Sequence, residues 1–376
     1  MVKAWPGKYV IGLTGNIATG KSVVRRMFEH LGAYGIDADA LAHRAMAKGA
    51  PGYKPVLIMF GRWLLGPDEQ IERAKLGRIV FSDPQALAQL EAILHPLVRE
   101  AVDVLVRRSK HRVIVLEAIK LLESPLRQNC DQIVVAYAPE EVQLNRLVEK
   151  RKLSHAVARQ RIAAQPPQRD KITAADYVIR NDGPYEDTWH QVSVLWQELF
   201  PEGEPAAREV PAGDAITVER ARPNESAEIA AFMNLNQARS TPVSASDIMA
   251  AFGEKAFLLL RAGSRLSGLA GWQVENLVSR TDEVHLDPVL PIADGIRAIL
   301  ETVERSSRDL QCEVSLLFLP PKLARHEDIW HGLGYEARSI ESLAVRAWQE
   351  AAEETMPHGT VLLFKQLRKD RVLRPV

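Results

Sequence analysis

The sequence predicts an α/β protein in two parts: a parallel sheet with helices on both faces, then a smaller mixed α/β domain. Three observations carry this expectation. Short β-branched strands alternate with helical spacings as far as Leu199, the pattern of a parallel sheet covered on both faces. A stretch rich in Pro, Gly and Glu, residues 201–214, then loses apolar periodicity, as linkers do. Beyond it an antiparallel pair enters the pattern. A chain of 376 residues accommodates two domains of about 150 residues each, and limits of 1–200 and 215–376 are expected.

Taken in order, Tyr9–Thr14 is a short apolar strand and Lys21–Leu31 a helix. Gly32–Gly35 then leads to the end of a second strand at Ile36-Asp37. Ala86–Arg107 carries helical spacing, and Arg112–Leu116 and Gln132–Ala138 are β-branched runs suited to buried parallel strands. Glu140–Lys152 is helical, Tyr177–Arg180 a last strand and Glu186–Leu199 a closing helix. After the linker come a strand at Ile216–Arg220 and a helix at Ser226–Asn234. Ala256–Arg261 and Leu266–Val274 form an antiparallel pair turning at Gly263-Ser264. A helix at Asp294–Arg308 and strands at Glu313–Leu319 and Thr360–Lys365 complete the series.

Composition narrows the class. Hydrophobic residues at 46% and charged residues at 26% exclude a largely disordered or collagen-like chain. The net charge, 48 − 48 = 0, divides into 28 − 24 = +4 over residues 1–205 and 20 − 24 = −4 over 206–376. Neither half is basic enough for nucleic acid to be a main partner. No apolar run reaches the roughly 18 residues that span a bilayer, so no membrane partner is expected. Met1–Lys8 has no apolar signal-peptide core. Cys130 and Cys312 make neither a disulfide framework nor a zinc pattern. A soluble, cytoplasmic protein is expected.

The most informative stretch is Gly15-Asn16-Ile17-Ala18-Thr19-Gly20-Lys21-Ser22, which fits G-x-x-x-x-G-K-[ST] between a predicted strand and a predicted helix. Such a loop turns backbone N–H groups onto phosphate oxygens at a helix N-terminus. Thr14 through Val23, Lys21 included, therefore form the expected NTP site, and the Ser22 hydroxyl is a ligand for Mg2+. Asp37 and Asp39 lie at the end of the second strand, beside the switch point where ligands bind in doubly wound sheets. A carboxylate there can take a proton from an attacking hydroxyl or help to hold Mg2+. An Asp in that place can equally cap a helix.

From these residues on, the sequence resembles the dephospho-CoA kinase family over about residues 9–200. The resemblance rests on Ile11–Ser22, on Leu31-Gly-Ala with Ile36-Asp-Ala-Asp39, and on Val80–Pro84 leading to Leu90–Arg99, which contains His95-Pro96. Pro139–Arg146, Arg161–Gln165 and Ala175–Gly183 follow in the family's order. The resemblance implies a P-loop NTPase sheet with a helical lid. It also implies transfer of the ATP γ-phosphoryl group to the ribose 3′-hydroxyl of dephospho-CoA. On it Asp39 is the general base and a Mg2+ ligand with Ser22, Lys21 the γ-phosphate contact, and Arg146 a lid arginine. Asn181 joins the nucleotide site, and Asp37, His95, Arg99 and Glu117 the acceptor site. Two departures stand out. Asn16 and Ala18 occupy loop positions where many members have Gly, and Glu117-Ala-Ile-Lys-Leu-Leu-Glu123 replaces an Asp-Val-Pro-Leu-Leu-Phe-Glu segment.

Residues 216–366 resemble, more distantly, a GNAT-type N-acetyltransferase in element order and in Trp330-His-Gly-Leu-Gly-Tyr335. The resemblance implies a pyrophosphate-gripping loop at a helix start. Here its register is Leu290-Pro-Ile-Ala293-Asp294-Gly295, with Leu for Gln/Arg, Ala for Gly, and an added acid, each of which weakens anion binding. A degenerate domain with a structural or CoA-sensing role is expected, with CoA or acetyl-CoA as its ligand in the second case. Glu283 and His285 are either bases or part of an exposed, alternating strand. Three rival readings stay open: a kinase for another small hydroxyl acceptor, a bifunctional kinase and N-acetyltransferase, and a nucleotide-binding regulator without turnover.

Overall fold

The computed structural model describes residues 4–80, 82–201, 216–236, 242–370 and 372–373. Phe81 lies outside them, as do residues 202–214 of the linker expected at 201–214. The chain divides into two compact units, Met1–Ser193 with Asp370–Val376, and Val194–Lys369.

In the first unit, β1 (Tyr9–Thr14) is buried from Val10 onwards, as a strand paired on both sides and covered on both faces must be. The glycine-rich turn after it leads into α1 (Lys21–His30), which packs Val24, Met27 and Phe28 on the sheet at helical spacing. Next come β2 (Tyr34–Asp37) and three eight-residue helices, α2 (Ala38–Ala45), α3 (Tyr53–Phe60) and α4 (Arg73–Val80). The sequence spacing names no element between Asp39 and Ala86, because two turns of helix are too short to establish a period. The long helix α5 (Pro84–Arg108) starts at Asp83, whose carboxylate accepts the Gln85 N–H, and buries Leu90, Leu94, Val98, Val102 and Leu105. Strand β3 (Val113–Glu117) and strand β4 (Gln132–Tyr137) then flank β1.

Helix α6 (Glu140–Glu149) is shorter than the expected Glu140–Lys152. Lys152 adopts a φ of 55°, and the next helix, α7 (His155–Ala163), is capped by Ser154, so the basic residues 151–161 do not share one helix. Helix α8 (Gln168–Thr173), β5 (Tyr177–Arg180) and α9 (Tyr185–Leu199) follow, and the division between the units falls within α9. The five strands are all parallel, in the order β2-β3-β1-β4-β5. Their register aligns Glu117 with both Leu13 of β1 and Asp37 of β2. The phosphate loop, Asp37 and Glu117 thus meet at one sheet edge, where strand carboxyl ends bind ligands.

The second unit opens with β6 (Ile216–Arg220), α10 (Ser226–Asn236) and α11 (Ala245–Ala251). A meander follows: β7 (Ala256–Ala262), β8 (Arg265–Glu275) and β9 (Val278–Leu286). Then come α12 (Ile292–Asp309), β10 (Val314–Leu319), α13 (Pro321–Ala324), α14 (Glu327–Gly332), β11 (Glu336–Ala337), α15 (Arg346–Thr355) and β12 (Val361–Gln366). The seven strands run β11-β12-β10-β9-β8-β7-β6, antiparallel except for the β9–β10 pair. This is the mixed α/β domain read from the sequence, with a core of its own around Ile296, Leu300, Leu317, Trp330 and Tyr335. One expectation is corrected. The strand carrying Glu283 and His285 is not exposed: β9 pairs with β8 and, from Val278 to Thr281, with β10, His285 is buried, and Glu283 is half-buried with a φ of 47° at a break in register.

Candidate active site

The loop from Gly15 to Ser22 is shaped by positions that no side chain could share. Gly15 has a φ of 152°, and a Cβ there would lie 2.4 Å from the Ala136 carbonyl oxygen. Gly20 has a φ of 88°, and its Cβ would lie 1.8 Å from Nδ2 of Asn181. Of the two departures inside the loop, Ala18 takes the left-handed conformation, with a φ of 58°. Asn16 does not; its buried side chain donates to the Pro166 carbonyl at 2.9 Å. The loop also closes on itself, with the Thr19 hydroxyl donating to Asn16 O (2.9 Å) and Lys21 Nζ to the same oxygen (3.2 Å).

The lid side meets the loop at several points. Arg146 donates to Ala18 O (3.1 Å) and to Asn181 O (2.9 Å), and Asn181 Nδ2 donates to Thr19 O (2.9 Å). The Gln165 side-chain oxygen accepts the Ile17 N–H at 2.7 Å, so it occupies a donor that the loop motif reserves for phosphate.

Charge is concentrated under the loop. Ser22 donates to Glu117 Oε1 (3.0 Å) and Arg25 Nε to Glu117 Oε2 (2.9 Å). Glu117 thus joins the phosphate loop to α1 through Ser22 and Arg25. Asp37 caps α2 by accepting the Ala40 N–H at 2.9 Å. Burial, then the neighbouring Glu117, pushes its carboxyl up to about 7. Asp39, one residue into α2, accepts the Ile119 N–H with Oδ2 at 2.9 Å. Burial raises its affinity for a proton, opposed by that hydrogen bond and by Lys21. Lys21 is pushed down by burial, against the pull of Glu117, Asp39 and Asp37.

His95 and Arg99 are exposed on α5 and line a cleft of about 620 Å³ with Pro96, Ser124 and Leu126. No hydrogen bond or ion pair joins either of them to the Asp39 cluster. Among the described residues no three His, Cys, Asp or Glu side chains are arranged to hold a metal. The hydroxyl and carboxylate oxygens beside the loop are nevertheless hard donors, and Mg2+ is commonly held by one or two protein oxygens together with phosphates. The residues fit that ion.

The sequence profile of the family described as Dephospho-CoA kinase matches residues 9–187. The curated dephospho-CoA kinase of Geobacter metallireducens is 43% identical over 192 residues, which is 50% of this chain and 96% of that protein. The chain belongs to the dephospho-CoA kinase family. Among solved structures, TT1252 from Thermus thermophilus is 31% identical with a TM-score of 0.45, covering 51% of this chain and 98% of its own. A GNAT-family acetyltransferase from Staphylococcus aureus Mu50 is 12% identical with a TM-score of 0.33, covering 41% of this chain and 100% of its own.

For this dephospho-CoA kinase family member the geometry adds residues that the motifs did not assign. Gln165 stood inside a recognised segment, without a role. Arg25 belongs to no motif, and only its burial on α1 separates it from the neighbouring Arg26. Lys171 is one of several charged residues in Arg169-Asp170-Lys171, and only its burial separates it from the rest. The backbone of residue 119 leaves no sequence signal, since any side chain supplies the same N–H and C=O.

Proposed function

We propose that this chain transfers the γ-phosphoryl group of ATP to the ribose 3′-hydroxyl of dephospho-CoA, giving coenzyme A. The observation that carries the reading is a half-buried carboxylate just past the end of β2, Asp39, held by the Ile119 N–H at 2.9 Å, in a chain whose residues 9–187 match the dephospho-CoA kinase family. In this reading backbone N–H groups from residues 15–23 grip the phosphates, and Lys21 meets the γ-phosphate. Gln165 leaves the Ile17 N–H when ATP arrives. Ser22 and Asp39 are the residues that would hold Mg2+, which supplies positive charge to the phosphates when bound. Asp39 accepts the proton of the acceptor hydroxyl, and Arg146 closes over the transferring group. Little covalent work falls to the protein, so alignment and charge account for the rate. Asp37, His95 and Arg99 belong to the acceptor side, the last two through the cleft on α5. The proposed location is the cytoplasm, where ATP is abundant.

A coupled assay over a panel of hydroxyl acceptors tests this reading. Dephospho-CoA should be preferred, and Asp39→Asn should lower kcat by about 10²–10⁴-fold, the usual worth of a positioned general base. A wild-type chain that phosphorylates a nucleoside monophosphate more readily, or nothing at all, would refute it.

We assign residues 215–376 a structural role, joined by residues 201–214 to a kinase domain at 1–200. A Cβ on Gly295 would lie 2.7 Å from Leu290 Cδ2 and 2.9 Å from Leu286 Cδ2, so this glycine serves close packing of α12, and Asp294 in its first turn adds negative charge where a pyrophosphate would bind. Calorimetric titration of the full chain with acetyl-CoA is the check: a second equivalent bound per chain would favour the CoA-sensing or acetyl-transfer readings instead.

A further inference from the structure

We infer that Lys171 is a positioning residue for phosphoryl transfer, holding the backbone of residue 119 so that its N–H fixes Asp39. The inference rests on the kinase reading above. Lys171 lies on α8, at the trailing end of the lid, and is only 3% exposed. Its ammonium donates to the Ile119 carbonyl at 2.6 Å, and the Thr14 hydroxyl donates to the same oxygen at 3.0 Å. On the other side of the same Cα, the Ile119 N–H donates to Asp39 Oδ2 at 2.9 Å.

Residues 118–124 form turns and belong to no strand or helix. Residue 119 is held by these few donors, by the Ala118 N–H bond to Leu13 O at 3.0 Å and by the burial of Ala118 and Leu121 on either side. The Ile119 N–H orients the carboxylate by holding Oδ2. A shift of residue 119 would turn the carboxylate. The far end of α8 is fixed as well, since Gln168 Nε2 donates to Ala138 O at 3.1 Å.

A carbonyl that only needed a partner could be satisfied by a neutral side chain. Burying an ammonium beside Lys21 costs more, because both desolvation and like charge oppose it. Those two effects, partly offset by Glu123 and Asp39, push Lys171 down to about 8, so near neutral pH it is still mainly the charged donor.

The test is steady-state kinetics on the full chain with ATP and dephospho-CoA. Lys171→Met keeps the length of the side chain and removes its charge and its donor. The expected result is a fall in kcat of about 30- to 100-fold, the scale of a misplacement near 1 Å. KM for both substrates should stay within about threefold, and Lys171→Arg should restore part of kcat. Thr14→Val should be non-additive with Lys171→Met, because the two act on one carbonyl. An unchanged kcat, a loss confined to KM, or strict additivity with Thr14→Val would each overturn the inference. If Lys171→Met fails to fold, the Lys171→Arg and Thr14→Val pair decides by the same criterion. A wild-type chain without turnover removes the kinase reading, and this inference with it.

Discussion

At the scale of single residues, backbone geometry and buried charge set the behaviour of the site. Gly20 is the clearest case of the first. A methyl group there meets Asn181 Nδ2 at 1.8 Å in a backbone conformation that already excludes most side chains. Gly20→Ala should therefore raise KM for ATP by about tenfold or more, with a lowered Tm from a strain of roughly 1–3 kcal/mol, read by kinetics and a thermal melt. Asp37 illustrates the second. Its carboxyl is raised to about 7 in the fold against an ordinary value of 3.8, so above pH 7 the folded chain carries a buried charge that the unfolded chain carries in water. Asn caps a helix as well as Asp does. Asp37→Asn should thus stabilise the ligand-free chain at pH 8, with Tm rising by about 3 °C or more. The gain should shrink as pH falls from 7 towards 4, where the folded carboxyl is protonated and the penalty vanishes.

At the scale of elements, the sheet edge and the lid helices do different work. Strands β1, β2 and β3 fix the phosphate loop, Asp37 and Glu117 through hydrogen-bond register, which leaves little freedom. The segment from α6 to α8 reaches the loop through side chains: Arg146 to the Ala18 and Asn181 carbonyls, Gln165 to the Ile17 N–H, Lys171 to residue 119. The Arg146 and Gln165 contacts can be exchanged for contacts to a nucleotide without breaking a strand or a helix, whereas the Lys171 bond to residue 119 is kept. Arg146→Ala should accordingly lower kcat by about 10²-fold or more while changing the Tm of the ligand-free chain by no more than about 2 °C. The measured pair of numbers separates a transition-state role from a structural one. Boundaries at this scale were legible where periods were long: α1, α5 and the strands of the first sheet agree with the sequence to within two residues. The helices between Asp39 and Ala86 were not, because eight residues give two turns and no repeat to recognise. The break after Glu149 was missed for another reason. Arg151 and Lys152 are good helix formers, and only the following Ser154 cap and the left-handed Lys152 show where the chain stops.

For the whole molecule, the separate hydrophobic cores of the two units matter more than the neutral net charge. Phe28, Leu105 and Leu116 are fully buried in the first unit, and Tyr335, Phe257 and Phe318 in the second. Each unit can therefore bury its own apolar surface, at about 25 cal/mol per Å², without the other. Scanning calorimetry should resolve two unfolding transitions, and ATP with Mg2+ should raise only one of them, since a ligand stabilises what it binds. A single transition that moves as a whole would show that the units unfold together.

By itself the sequence determined the kinase half in outline. A glycine-rich loop between strand and helix, two aspartates at a strand end and the segments that resemble the dephospho-CoA kinase family all follow from local spacing, because phosphate binding needs backbone groups in a fixed order. What only the tertiary structure decided is which groups touch. Glu117 pairs with Ser22 and Arg25, Asp37 caps α2, Ala18 takes the left-handed turn, and Lys171 reaches residue 119 across 52 positions of sequence. Such contacts depend on strand register and on the burial of charge, and neither is written in the spacing of residues along one chain segment.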